Sequence, residues 1–418
     1  MKLWMKVGIN KFYVLKIVHQ ISFYLILAGI ILLPFYYKIA HVPFIVAFPL
    51  VVFEFFNEKN KTFTLHKFTA FILVSILGYV LLKISGISYS ANLKEGLHHL
   101  EQLLALIYIS GTIALFDFSA KQIQLIKNSF IYSVVLGCVF LFIYSFRETD
   151  EYVTISKYTY TNLSAFNHPS YFTLLLNSAL FLSIYKKWNL LNRFQIISNI
   201  LIVLFLLVFI LLFVSKAGNL VMIFTVIAGL VWFTKKQYIK PFYSFIIVFL
   251  AGVFLVVLYV FSPLNQRVRE GIEKTLDEPS NVYTNKMTST ETRKFIWNAS
   301  LDKIKEKPLL GYGTGSFTKN LFDNPSGEEF YFNAHNQFLE DWFENGIFAL
   351  IFLSIWLFLV GGIHFQTNWY LALFLIVHIF LNLGVETMLS RLAGMQYISI
   401  VTGFTLHYLQ NKKVYHEG

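Results

Sequence analysis

The sequence predicts an all-α, polytopic integral membrane protein of about 12 transmembrane helices with one large outer (periplasmic or extracytoplasmic) helical loop, and three observations carry that prediction. Apolar residues fill 56% of the 418 positions, charged residues fill only 14%, and the mean hydropathy is +0.60, which excludes an ordinary soluble globular chain. The apolar residues are gathered into runs of roughly 20, the length a helix needs to cross a hydrocarbon core of about 30 Å. The lysines and arginines favour alternate connections between those runs, which sets an orientation.

The runs fall at approximately 17–36, 41–57, 67–84, 100–117, 125–146, 169–186, 194–214, 217–234, 241–262, 343–362, 368–384 and 390–409, the second being short. An even number of crossings puts both termini on one side. Connections on the side of the termini hold seventeen Lys and Arg against seven in the short segments opposite, so both termini are expected in the cytosol. The loop at 147–168 and the long segment 263–342 then face outward. The N-terminal MKLWMKVGINK resembles a signal anchor with no small-residue cleavage site after it, and is expected to be retained. The single cysteine, Cys138, lies in an apolar run, so neither a disulfide framework nor a cysteine metal site is expected. The net charge of +11 is explained by loop placement, without nucleic acid. No internal repeat is visible, so 1–418 reads as one membrane domain with 263–342 inserted between spans nine and ten. Within the insert, Val268, Ile272 and Leu276 suggest an amphipathic helix over 265–277, followed by a polar linker at 279–290.

The polar stretch 288–346 carries the chemistry-bearing residues. Thr288 with Glu291 forms a capping-box pattern, and Pro308 marks the helix stop. Arg293, Trp297, Leu301 and Ile304 then share a packing face, with Lys294, Asn298 and Lys305 on another. The Gly311-Tyr312-Gly313-Thr314-Gly315 run is a tight turn, weak as a phosphate cradle because no strand precedes it. A second helix is expected with Asn333 as N-cap, His335 in its first turn and Gly346 as its stop. His335, Leu339 and Trp342 share its inward face, and Gln337, Glu340 and Glu344 point elsewhere. A lone His on an apolar face is more often structural than chemical. In a polar loop, near an inward-facing Arg at a membrane surface, the chemical reading weighs evenly with the structural one.

Three further cations stand outside. Lys216, in VSKAGNL between spans seven and eight, is either a snorkelling anchor or faces an anion at the membrane boundary. Arg391 opens the last span, five residues after Glu386, with which it can pair. Asn167 and His168 precede Pro169, where a helix cap is the favoured reading. Glu148-Thr149-Asp150 has an ExD spacing that is a weak metal signal without companion ligands. Fixed cations stabilise a phosphate leaving group and a His takes a proton from an attacking hydroxyl, so the set describes group transfer from a lipid phosphate or pyrophosphate.

The motifs TRKFIWNAS (292–300), KPLLGYGTGSF (307–317), AHNQFLE (334–340) and NGIFAL (345–350), within this topology, resemble the O-antigen ligase and O-antigen polymerase superfamily of bacterial membrane glycosyltransferases. The resemblance implies a fold similar to C-type glycosyltransferases in the bacterial inner membrane. It also implies transfer of an oligosaccharide from an undecaprenyl-pyrophosphate-linked glycan donor to a glycan, lipid or protein acceptor at the outer face, with no metal or other cofactor. It implies His335 as catalytic base and Arg293 as the group engaging the pyrophosphate, with Lys216 and Arg391 assisting and Asn336, Trp297, Glu386 and His168 as supporting residues. Lys216 stands where many members carry Arg in a Ser-Arg-Gly turn, which keeps the charge and loses the planar fork. The alternatives are a repeat-unit polymerase with the same donor and, from another class, a lipid-linked sugar transporter. Transporters tend to place ionisable groups near the midplane, whereas Glu54, Glu101 and Asp117 lie toward span ends.

Overall fold

The structure, a computed structural model, describes residues 11–57, 66–145, 168–186, 188–213, 215–238, 289–321, 333–366 and 368–411. The expected ninth span, the amphipathic helix at 265–277, the Thr288 cap, Asn167 and the Glu148/Asp150 pair lie outside those residues.

Among the described residues all regular structure is helical. The elements are α1 (Lys11–Leu32), α2 (Tyr37–Ala40), α3 (Val42–Asn57), α4 (Lys67–Gly86), α5 (Leu93–Leu115), α6 (Ala120–Ser145) and α7 (Pro169–Ile184). They continue with α8 (Arg193–Leu212), α9 (Lys216–Lys235), α10 (Ser289–Glu306), α11 (Phe317–Asn320), α12 (Gln337–Gly362), α13 (Trp369–Val385) and α14 (Leu392–Gln410). A helix stands at the place of each expected span other than the ninth. Among the described residues seven helical stretches are long and apolar enough to cross a bilayer, namely α1, α2 with α3, α4, α6, α8, α9 and α12, while α7 and α13 are shorter apolar helices.

The side chains follow the logic of a lipid solvent. On α8 the exposed residues Phe194, Ile197, Leu201, Leu204 and Val208 recur every three or four positions, an apolar stripe turned outward as a hydrocarbon surround requires. Polar residues turn inward. On α5, Gln102, Ser110 and Thr112 are buried, Ser110 against Gly403 of α14, where Gln396, Ser399, Thr402 and Thr405 are buried too. Small side chains let these two helices come close, since a Cβ on Gly403 would already press on Ser110 and Ile113. Around this pair α4 packs on α12, α1 on α3, α9 on α13 and α7 on both α8 and α9. At one end of the bundle Glu54 is buried and pairs with His19 at 2.8 Å. At the other end, the polar ends of α4, α5, α7, α9, α12, α13 and α14 gather beneath α10.

Gly346 ends the first helical stretch where the stop is expected: its backbone leaves the helical region at φ 74° and ψ −177°, and a second stretch runs on to Gly362, so that α12 is kinked. The kink forms because the 308–310 turn is wedged against it: Ile347 N donates to the Pro308 carbonyl at 3.0 Å, and a Cβ on Gly346 would collide with the Leu309 carbonyl. One expected boundary is corrected there. The N-cap of α12 is Asn336, not Asn333: its φ is −162° and its side chain accepts from Leu339 N at 3.1 Å.

Candidate functional site

α10 lies against the start of α12 through buried Ile296, Ser300 and Ile304. Leu301, expected on that face, is exposed instead, because the face turns through 296 and 300 and leaves 301 outside. Trp297 is partly buried and its indole N–H donates to the Ala334 carbonyl at 2.7 Å, tying α10 to the residue just before His335. One turn earlier on the same helix stands Arg293, whose Nε is buried without a hydrogen-bond partner.

His335 precedes α12 instead of lying in its first turn. It holds φ at 46°, a left-handed conformation that costs a non-glycine residue about 1–2 kcal/mol. Two contacts fix it. Its backbone N–H donates to Asn333 Oδ1 at 2.9 Å, and its ring Nδ1 sits 3.2 Å from Glu386 Oε1. Burial alone would raise the Glu386 carboxyl, but the bond from His335, with the charge of Arg293, holds it below the usual carboxylate range. A carboxylate only accepts, so Nδ1 carries the ring proton and Nε2 is the nitrogen left to receive another.

Glu386 itself is held by a loop, 386–391, fastened along the beginning of α12. Thr387 Oγ1 donates to Asn333 Oδ1 at 2.6 Å, Leu389 N donates to Gln337 Oε1 at 2.7 Å, and the Ser390 hydroxyl donates to Glu340. Arg391, expected to pair with Glu386, is exposed at the start of α14, and Glu386 pairs with His335 in its place.

The remaining expected residues fall at this same end. His168 caps α7, its Nδ1 accepting from Ser170 N at 3.4 Å ahead of Pro169, as the capping reading requires. Burial, together with the positive charges of Arg293 and Arg391, holds His168 below the usual imidazole range against the pull of Glu386. Lys216 is exposed at the first position of α9, behind the Ser215 cap, close enough to Arg293 for the two charges to act on each other. Arg293, Lys216, His168, His335 and Glu386 thus form one electrostatic neighbourhood, and Asn336 serves it as a helix cap.

Sequence reasoning missed the polar layer beneath. Gln337, Glu340 and Glu344, expected to point away from the packing face, are buried, with Asp341 among them. Lys83, only 2% exposed on α4, lies 2.6 Å from Asp341 Oδ1 and 3.1 Å from Glu344 Oε2. The Tyr79 hydroxyl donates to Asp341 at 3.0 Å, and Gln337 Nε2 donates to the same carboxylate at 3.1 Å. His99 on α5 reaches Glu344 and Glu95, each at 3.5 Å. The ligand atoms of His99, Glu340 and Glu344 lie within 4.8 Å of one another, a spacing a cation can bridge. Lys83 already supplies positive charge to Glu344 there, so the cluster has a structural reading as a buried ion network. The acidic FLEDWFEN spacing was the only signal in the sequence; its basic partner lies 261 positions away.

The GYGTG run is structural as well. Tyr312 N and Gly313 N donate to the Phe343 and Glu344 carbonyls at 3.0 and 2.7 Å, and Thr314 N donates to the Gly86 carbonyl at 3.2 Å. Thr314 Oγ1 donates to the Lys83 carbonyl and accepts from Asn345 Nδ2, both at 2.7 Å. These donors stitch α10 and α12 to α4, leaving no cradle for a phosphate at those groups.

Fold and site together define a polytopic helical membrane protein with a His, a carboxylate and several cations gathered at one end of the bundle. Residues 201–354 match the family model described as O-antigen ligase, so this segment of the chain is similar to that family. The matched range contains Lys216, Arg293 and His335 and leaves out Glu386 and Arg391. Comparison with curated proteins gives no match.

Proposed function

We propose that the protein transfers an oligosaccharide from undecaprenyl pyrophosphate to an acceptor hydroxyl at the outer face of the bacterial inner membrane. Twelve spans and cytosolic termini, as the charge bias of the connections suggests, put the site on that face. His335 Nε2 takes the proton of the acceptor hydroxyl while the oxygen attacks the anomeric carbon from the side opposite the pyrophosphate, so the configuration inverts. The bond from that carbon to the pyrophosphate oxygen breaks, and Arg293, with Lys216 and Arg391, stabilises the departing charge in place of a metal ion. Glu386 keeps the imidazole in the tautomer that can act and stabilises the imidazolium that results.

The observation that carries the reading is the His335–Glu386 pair beside a buried, unpartnered Arg293 Nε, in a segment with the family match. The test is glycan transfer by membranes holding His335→Ala or Arg293→Ala protein at the parent's level. Each substitution is expected to lower the rate by about 10²-fold or more. Full transfer by either would end the assignment. Supplying the lipid-linked donor alone separates the two acceptor classes: a ladder of longer glycans identifies a polymerase, and its absence, with transfer to added acceptor, a ligase.

A further inference from the structure

Asn333 stands two residues before His335 and its side-chain oxygen receives two donors. The backbone N–H of His335 reaches it at 2.9 Å and the Thr387 hydroxyl at 2.6 Å. An N–H can only donate, so the atom it meets is the amide oxygen, and the Thr387 hydroxyl must then donate to the same atom. Thr387 is 1% exposed, and its own carbonyl accepts from Tyr171 on α7 at 3.5 Å. The two residues that form the His–Glu pair are therefore each bonded, or adjacent to a residue bonded, to one atom. His335 is bonded to Asn333 Oδ1 through its backbone, and Glu386 is joined to Thr387 by the chain.

We propose that Asn333 and Thr387 are positioning residues for the transfer reaction: their shared bond sets the left-handed turn at His335 and holds Glu386 against its ring. This rests on the reading of His335 as the base. The other two fasteners of the loop, Leu389 N on Gln337 and Ser390 on Glu340, lie farther along and fix the loop as a whole. The Asn333–Thr387 bond acts at the catalytic pair itself. Without it, the ring keeps its nitrogen but loses its aim, and errors of about 1 Å at a reacting group cost about 10²-fold in rate.

The experiment uses the full-length protein in membranes of a strain lacking its own copy, with the undecaprenyl-pyrophosphate oligosaccharides of those membranes as donor and the labelled product resolved on gels. Binding of undecaprenyl pyrophosphate to the purified protein is followed by tryptophan fluorescence. Thr387→Val removes the hydroxyl at nearly constant volume, and transfer is expected to fall about tenfold or more with Kd for undecaprenyl pyrophosphate changed less than about twofold. Thr387→Ser keeps the donor and is expected to stay within about twofold of the parent. Asn333→Ala is expected to match Thr387→Val, with the double variant no slower than either alone, and it carries the test where Thr387→Val yields no folded protein. Full-rate transfer by both Thr387→Val and Asn333→Ala overturns the proposal. So does equal loss in Thr387→Val and Thr387→Ser, which would assign the effect to packing, or a loss of binding that accounts for the loss of rate. If His335→Ala also transfers at the parent's rate, the failure belongs to the reading of the site; if only His335→Ala is slow, it belongs to Asn333 and Thr387.

Discussion

Replacing Lys83 by Met tests whether the buried layer under the site is held by charge. The ammonium is 2% exposed and lies 2.6 Å from Asp341 and 3.1 Å from Glu344, and neither carboxylate is accessible. Methionine keeps the stem and most of the volume, so the change is electrical. Two carboxylates would remain buried, with the Tyr79 hydroxyl, the Gln337 amide, the Gly315 N–H and His99 left to compensate them. Breaking a buried ion pair by removing one partner costs about 3–5 kcal/mol, a factor of roughly 10²–10⁴ in the folding equilibrium. The assay is denaturant unfolding of the purified protein in one detergent or nanodisc, compared with Lys83→Met and with a variant that adds Asp341→Asn and Glu344→Gln. The triple change removes every charge of the pair at constant shape. Part of the lost stability should return, because neither carboxylate is then left buried without its cation. A Lys83→Met protein within about 1 kcal/mol of the parent, or a triple variant no more stable than the single, would refute the argument.

Glu386→Gln is expected to slow transfer about tenfold or more, since an amide no longer stabilises the imidazolium formed on His335, and transfer assays at matched expression read this directly. It should also change stability against pH. The folded Glu386 carboxyl sits below its usual range, so its contribution is present above the unfolded value of about 4.3 and is lost as pH falls through the lower folded value. The parent's melting temperature should therefore drop across that acid window by more than the variant's. Gly346→Ala puts a Cβ into the Leu309 carbonyl at a φ of 74°, and the backbone penalty alone is about 1–3 kcal/mol. A melting temperature equal to the parent's would show that the α12 kink is not fixed by that contact.

Hydropathy is local, so the sequence by itself determined where the helices run. Every expected span within the described residues has a helix at its place, and the short polar motifs around Arg293 and His335 led to the family that 201–354 matches. Spacing also read His168 rightly as a cap ahead of Pro169. Helix faces were less legible, because in a chain surrounded by lipid the inward side need not be the apolar one. Gln337, Glu340 and Glu344 read as pointing away from the packing face and are among the most buried groups, while Leu301 read as packed and is exposed. The choice between Asn333 and Asn336 as cap depended on where Thr387 would lie, since its hydroxyl and the His335 N–H engage Asn333 elsewhere. Only the tertiary structure decided which groups meet: Glu386 with His335 across 51 positions, and Lys83 with Glu344 across 261. The physical reason is that a buried charge is stable only beside its partner, and in a bundle of helices that partner comes from whichever helix packs alongside, at a distance no local pattern records.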